Sequence, residues 1–329
     1  PTYVKKVQNI ISVNDEMISE FKHKGYLEPL EKNVMTEEVR DSFPQKYLES
    51  ICEENGHIYS VPFQMDIMMF WVNQELLKQA GLDEIKNTGD FDILQKSLKN
   101  PDQYAYGDAW ENTHVYNSLS QFVNFWGGDY FDWTDPKTKD AARYMKSMLD
   151  EKNTSPAQFV DQYEQMEEKF IRGKYGCVFM YTSALGTFLD ADVYGKNKIH
   201  MAPLPVLHKK KATNIATWQY VLNNASENKD AAVRFLQYAA GYEGSTEYAK
   251  IMKSYPARVD VIENEDIDLE GIDMIRKYLR EYTLNARPLC ENSMGAVSDM
   301  GKLFQGYVLG QCEEDSFFEQ AQNCINTYY

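Results

Sequence analysis

The sequence predicts an α/β protein divided into two lobes, and three observations carry that expectation. Short apolar runs with strand character alternate with amphipathic stretches along the chain. No low-complexity linker and no internal repeat interrupts the alternation. The 329 residues, 43% of them hydrophobic, are enough for about two domains. Two domains without a linker imply lobes joined by several crossings of the chain.

Each element has its own warrant. NIISV (9–13) is a β-branched run and reads as a strand, followed by a helix over 16–24 that Gly25 closes. HIYSVPF (57–63) and MMFWV (68–72) read as two strands, with Gln64 and Asp66 as a polar crossing between them and Trp71 in the core; a helix closed by Gly81 follows. Ala141, Tyr144, Met145, Met148 and Leu149 fall at i, i+3, i+4, i+7 and i+8 behind Asp135-Pro136, the spacing of a helix with one buried face. Met166 and Phe170 mark a helix stopped at Gly173, and YGCVFMYT (175–182) follows as a strand. The two prolines of HMAPLPVL (200–207) exclude a helix and confine it to an edge or a connection. TWQYVL (217–222) is a strand, and Ser226 is the expected N-cap of a helix lined by Ala232, Phe235, Leu236 and Ala239 and ended by Gly241 and Gly244. Met300, Leu303, Phe304, Tyr307 and Val308 make a further helical face ending at Gly310, and the last helix carries Phe317, Ala321 and Ile325.

Composition narrows the function. With 34 Lys+Arg against 50 Asp+Glu the net charge is -16, which repels nucleic acid and anionic lipid; the basic run HKKKAT (208–213) reads as a solvated loop. No apolar run is long enough to span a membrane, and the start has no secretory-leader pattern, so an exported chain would already have lost its leader. The five cysteines have no metal-ligand spacing: Cys177 reads as a small buried hydrophobe, and Cys312 and Cys324 are close enough in sequence to be joined. Phosphate-binding and dinucleotide loops, GxSxG and HExxH are all absent, so no cofactor and no catalytic group are expected.

Aromatic residues are the stronger signal, at 13% of the chain with 23 tyrosines. Several stand beside polar side chains: Trp110, Tyr116 with Asn117, Trp126 before Gly127-Gly128, Tyr181 with Ser183, and Trp218 with Gln219. His114 is the one histidine in such surroundings. Flat aromatic faces among amides, hydroxyls and carboxylates suit a neutral polyhydroxylated ligand, whose C–H faces stack while its hydroxyls are hydrogen-bonded. For each of these aromatics a place in the core is the alternative.

The segment GHIYSVPFQMDIMMFWVNQELLKQAGL (56–82) resembles extracellular solute-binding proteins of the carbohydrate-uptake class, the family of the maltose-binding protein. That family has a G-x-x-Y-x-V-P strand, a polar residue or acid, a second apolar strand, and an Asn before a helix ending in Ala-Gly-Leu. GYLEPL (25–30), WGGDYFD (126–132), KFIRGKYGCVFMY (169–181), MAPLPV (201–206), ENKDAAVRFLQYAAGYEGSTEYAK (227–250), SYPAR (254–258), ARPLCENS (286–293) and VLGQCEEDSFFEQAQNCIN (308–326) follow in the family's order. Two features depart from the pattern. The family's first strands and helices before NIISV are missing, so the N-terminal lobe is expected to be incomplete at its start. Tyr181-Thr182-Ser183 also stands where the family often has Gly-Pro-Trp.

The resemblance implies a periplasmic-binding-protein-like fold with a hinge and an interlobe ligand cleft. The expected N-terminal lobe is 1–65 with 220–286, and the C-terminal lobe 66–219 with 287–329. Crossings are expected near Gln64 to Asp66, Thr217 to Tyr220, and Arg287. Asn14 and Asp15 would face the crevice, or equally cap the following helix. Asp66 would accept two sugar hydroxyls, or else pair with a buried Lys or Arg. The resemblance further implies a carbohydrate ligand, delivery to an ABC-transporter permease, a monomer, and a place outside the cell, anchored as a lipoprotein. Two other readings stay open: a metal-uptake protein using Tyr181 and Tyr220, and a glycosidase using two carboxylates.

Overall fold

The structure, a computed structural model, describes residues 8–329. The first part of the chain forms β1 (Ile10–Asn14), α1 (Asp15–His23), α2 (Glu37–Arg40), α3 (Gln45–Tyr47), β2 (Glu53–Glu54), β3 (His57–Ile58) and the long strand β4 (Ser60–Asn73). Then come α4 (Gln74–Gln79), α5 (Thr88–Ser97), β5 (Tyr104–Gly107), α6 (Val115–Trp126), α7 (Pro136–Asp150), α8 (Tyr163–Ile171), β6 (Tyr175–Tyr181), α9 (Ala184–Asp190) and β7 (Ile199–Ala202). The last part holds β8 (Ala212–Leu222), α10 (Lys229–Ala240), α11 (Tyr242–Met252), α12 (Val259–Ile262), α13 (Ile272–Glu281), β9 (Thr283–Ala286), α14 (Ser293–Val308) and α15 (Glu314–Tyr328).

Two compact units emerge. The first consists of residues 8–66, Ile215–Arg276 and Leu289–Ser293; the second of Ile67–Asn214, Lys277–Pro288 and Met294–Tyr329. The chain therefore passes from one unit to the other at Asp66/Ile67, Asn214/Ile215, Arg276/Lys277, Pro288/Leu289 and Ser293/Met294.

In the first unit β1 pairs antiparallel with the second half of β8, from Ile10 opposite Leu222 to Asn14 opposite Trp218. Val13, Ile18, Val61, Val221, Leu236 and Ile262 are buried in its core. In the second unit β4 pairs antiparallel with both β6 and β7, and β5 lies parallel to β6. Phe70, Trp71, Phe122, Phe125 and Phe179 fill that core. Asp135 caps α7 by accepting from the Lys137 N–H, with Pro136 at the first helical position, where its missing N–H costs nothing. Gly127, at φ +71, closes α6 in the left-handed region that a side chain would strain.

Two sequence expectations are corrected here. The runs 57–63 and 68–72 are not two strands with a polar break: β4 continues through Gln64 and Asp66. It can do so because residues 255–257 supply backbone partners, the Met65 N–H donating to Tyr255 O (3.0 Å) and the Ala257 N–H to Phe63 O (3.2 Å). The N-cap of α10 is Asn228, not Ser226, whose hydroxyl instead donates to Asn9 Oδ1 (2.7 Å) and accepts from the Asn228 N–H (3.2 Å). Cys312 and Cys324, whose spacing left a bridge open, form no disulfide with each other. Cys177 and Trp71 are fully buried, as their apolar runs predict.

Candidate functional site

Strand alternation builds the candidate site of the first unit. Thr217, Gln219 and Val221 point inward, so Trp218 and Tyr220 share the other face. Trp218 is 43% exposed, and the register sets it opposite Asn14. The Asn14 amide nitrogen donates to Glu16 (3.2 Å), while Asn14 Oδ1 is buried with no hydrogen-bond partner among the described residues. A buried orphan acceptor in register with an exposed indole leaves one polar requirement unmet. Tyr220 stacks on Phe63 at 4.1 Å, and Tyr248 and Phe235 meet this pair edge-on. Gln64 accepts from the Tyr248 hydroxyl (2.7 Å). Asp15, fully buried, is the first residue of α1, at the positive end of the helix dipole. Asp66 is 9% exposed, at the end of this unit's part of β4.

Gln219, beside Trp218 in sequence, faces away from it. Its Oε1 accepts from the Ser60 hydroxyl and from the Cys52 thiol (3.2 Å), and its Nε2 donates to Tyr47 Oη (2.9 Å), which also accepts from Thr217 Oγ1 (2.7 Å). Burial pushes the Cys52 thiol up to about 12, so it stays protonated and donates. Nearby, burial lowers the Lys22 ammonium from its usual range while it donates to the carbonyls of Ile51 (2.9 Å) and Glu53 (3.2 Å).

In the second unit the candidate residues gather at the start of α6. The Asp108 carboxylate, fully buried, accepts from Tyr106 Oη (2.7 Å), Ser118 Oγ (2.5 Å) and the Ala109 N–H (2.8 Å). Burial pushes its carboxyl up from the usual range against those donors. Gly301 of α14 lies so close to this loop that a Cβ there would stand 1.9 Å from Asn112 O. On α6, Tyr116 Oη accepts from Arg287 Nη1 (2.6 Å), and the guanidinium lies 5.9 Å and 6.0 Å from the ring centres of Tyr116 and Tyr181. Tyr181 Oη donates to Asn117 Oδ1 (3.0 Å). Tyr163 meets Tyr181 edge-on, and His114 meets Tyr163 the same way while its Nδ1 lies 3.1 Å from a Glu111 carboxylate oxygen.

His114, Tyr116, Tyr181 and Arg287 thus come together. Trp110 and Trp126 do not join them. Trp110 has no exposed surface and packs edge-on against Phe159 and Phe304. Trp126 is ten residues along α6 from Tyr116, roughly 15 Å at the helical rise, and is buried and stacked on His208 at 4.9 Å. Ser183 is exposed at the start of α9. The sequence did not single out Tyr163, Phe63 or Tyr248. Tyr163 shares the i, i+3, i+7 face of Met166 and Phe170 and so reads as core; Phe63 and Tyr248 carry no local signal. Among the described residues no three His, Cys, Asp or Glu side chains are grouped to hold a metal ion, and no helix is long and apolar enough to cross a membrane.

Residues 7–246 match the family model of bacterial extracellular solute-binding proteins. The chain belongs to that family. The fold is the two-lobed one of periplasmic binding proteins. An ABC transporter solute-binding protein of Thermotoga lettingae, bound with α-D-tagatose, superposes with a TM-score of 0.81 at 17% identity, over 97% of this chain and 84% of that one. A probable amino-acid ABC transporter periplasmic-binding protein of Sinorhizobium fredii is 24% identical over 239 residues, 69% of this chain and 54% of its own. The arabinooligosaccharide-binding protein of Bacillus subtilis is 23% identical over 248 residues, 71% of this chain and 56% of its own. The chain spans about half the length of these curated relatives.

Proposed function

We propose that the protein binds a sugar or oligosaccharide without chemical change and delivers it to the permease of an ABC transporter. The observation that carries this reading is the exposed Trp218 opposite the orphan Asn14 Oδ1. An indole offers a flat surface to sugar C–H groups, and an unpartnered amide oxygen calls for a hydroxyl donor. Tyr116, Tyr181, Arg287 and His114 add hydroxyl, guanidinium and imidazole groups, and Asp66 adds a carboxylate acceptor. The tagatose-bound and arabinooligosaccharide-binding relatives support the same class of ligand. Release intact to a permease needs only reversible contacts, so no residue is assigned a covalent role, and no metal or cofactor is invoked. Work at the outer face of the membrane, as a monomer held by a lipid anchor, completes the reading.

An amino-acid solute is the second reading, favoured by the name of the Sinorhizobium relative. Thermal melting against a panel of mono- and oligosaccharides, polyols, amino acids and Fe(III) separates the two, because a ligand that binds only the folded state raises the midpoint by mass action. A sugar at about a thousand times its Kd adds about 4 kcal/mol. A shift with amino acids or iron alone overturns the sugar reading, and cleavage of an oligosaccharide during incubation overturns the non-catalytic one. Asp66→Ala is expected to weaken sugar binding by at least tenfold, about 1.4 kcal/mol, with the fold kept; unchanged affinity by calorimetry removes Asp66 from the site.

A further inference from the structure

Helix α6 is buried along almost its whole length, yet it carries Asn117, Ser118, Ser120, Gln121 and Asn124. Polar groups in such surroundings are costly unless each finds a partner, and Ser120, Gln121, Asn124 and the Asn117 carbonyl find theirs on one short piece of strand. Asn214 is fully buried and is the last residue of β8 before the chain leaves this unit. Its N–H donates to Gln121 Oε1 (2.9 Å), and its Nδ2 donates to Asn117 O (3.0 Å) and Ser120 Oγ (2.8 Å). Its Oδ1 accepts from Asn124 Nδ2 (2.9 Å). Gln121 Nε2 donates to Ala212 O (2.8 Å), and Thr213 Oγ1 reaches both Gln121 Oε1 (3.2 Å) and Met68 O, the latter on β4 just past its own crossing.

The same turn of α6 carries candidate solute contacts. The Asn117 carbonyl is held by Asn214, while the Asn117 side chain accepts from Tyr181 Oη; Tyr116, one residue earlier, accepts from Arg287. We infer that Asn214, with Gln121, is a positioning residue for the solute site: it fixes the helical turn that aims Tyr116 and Tyr181, although it has no exposed surface with which to touch a solute. A helix needed only for bulk would be served as well by apolar residues, since a buried polar network that replaces them contributes geometry more than stability. The inference rests on the reading that these tyrosines meet the solute.

Asn214→Asp tests it, because the carboxylate keeps the shape and the acceptor but has no hydrogen to give Asn117 O and Ser120 Oγ. The sugar that shifts the wild-type melt is expected to bind roughly tenfold more weakly, the equivalent of about one hydrogen bond. Ile325→Val in α15, a control for general destabilisation, should leave affinity within about twofold, since an apolar side chain takes no part in the hydrogen-bond network of Asn214 and substitutions without shared partners act independently. A second readout needs no ligand: 3-fluorotyrosine at position 181 should change its fluorine resonance in Asn214→Asp and not in Ile325→Val. A variant that melts lower yet keeps both wild-type affinity and the wild-type resonance overturns the inference. If Asn214→Asp does not fold, Asn124→Ala removes only the bond to Asn214 Oδ1 and carries the same readouts, and an unchanged resonance there overturns it equally. If no sugar binds the wild type, the functional reading fails while the fluorine resonance still decides this one.

Discussion

Strand β8 is gripped by a buried polar network on each side of its crossing at Asn214/Ile215, and the two networks are built differently. On the second-unit side Asn214 and Thr213 are held by α6, and the network runs on through Asn117 to the Tyr181 hydroxyl. On the first-unit side Thr217 and Gln219 are held by Tyr47, Ser60 and Cys52, with Trp218 and Tyr220 on the opposite face of the strand. The difference lies in the periodicity of the element that carries the proposed ligand contacts. A strand has a period of two, so its inward residues can hold the fold while its outward ones meet solute. A helix places both duties on neighbouring residues of one turn. Structure and binding should therefore separate under mutation in the first unit and move together in the second.

The largest expected effect comes from the second unit. Asp108→Ala leaves the Tyr106 and Ser118 hydroxyls and the Ala109 N–H buried without their acceptor. At about 1–3 kcal/mol for each orphaned donor, partly relieved by water, a loss of about 3–5 kcal/mol in urea unfolding is expected. Affinity should fall with it, because Ser118 adjoins Asn117. A stable variant, or one that loses stability and keeps full affinity, breaks the coupling claimed for α6.

Trp218→Ala is the mirror experiment. The indole is 43% exposed and contributes little to the core. Stability should stay within about 0.5 kcal/mol, as at ordinary surface positions, while sugar affinity falls by about 2 kcal/mol, the cost of an aromatic anchor at the centre of a contact. Calorimetric titration beside a thermal melt reads both; unchanged affinity would take Trp218 out of the site.

The sequence disclosed one side of this contrast better than the other. Alternation in TWQYVL announces a strand, and its period alone places Trp218 and Gln219 on opposite faces. The residues before it, ATNIA, carry little strand signal, and Asn214 in particular disfavours one. It sits in β8 because α6, nearly a hundred residues away in sequence, meets its polar groups. The same cause hid the continuity of β4: Gln64 and Asp66 look like a break until the backbone of residues 255–257 is seen beside them. Trp110 and Tyr116 are alike as sequence, aromatics among polar neighbours. Phe159 and Phe304 make one of them core, and Arg287 draws the other into the candidate cluster with Tyr181 and His114. What was readable was set by neighbours in the chain, and what was not was set by partners brought from far away.

Gln219→Leu sharpens the comparison from the first unit. It removes the acceptor of Ser60 and Cys52 and one donor to Tyr47 while keeping an inward-facing side chain of similar size. About 2 kcal/mol of stability should be lost, and sugar affinity should stay within about twofold, because the strand still presents Trp218 outward. A tenfold loss of affinity, about 1.4 kcal/mol, would show that the two faces of β8 are not independent.

The smallest effect is a rate, and it locates each network without any ligand. The Cys52 thiol is buried, held at about 12 by that burial, and bonded to Gln219, so the thiolate that reacts with a disulfide reagent is scarce and enclosed. Cys312 and Cys324 are partly exposed and should be modified first at pH 8. Cys52 should react only through local opening of the first unit, at a rate set by the free energy of that opening. Gln219→Leu loosens the network around Cys52 and should speed its modification, whereas Asn214→Asp, on the other side of the crossing, should leave it at the wild-type rate. Equal acceleration by both substitutions would mean that the two grips on β8 open as one cooperative unit, and the division of labour between strand and helix would fall with it.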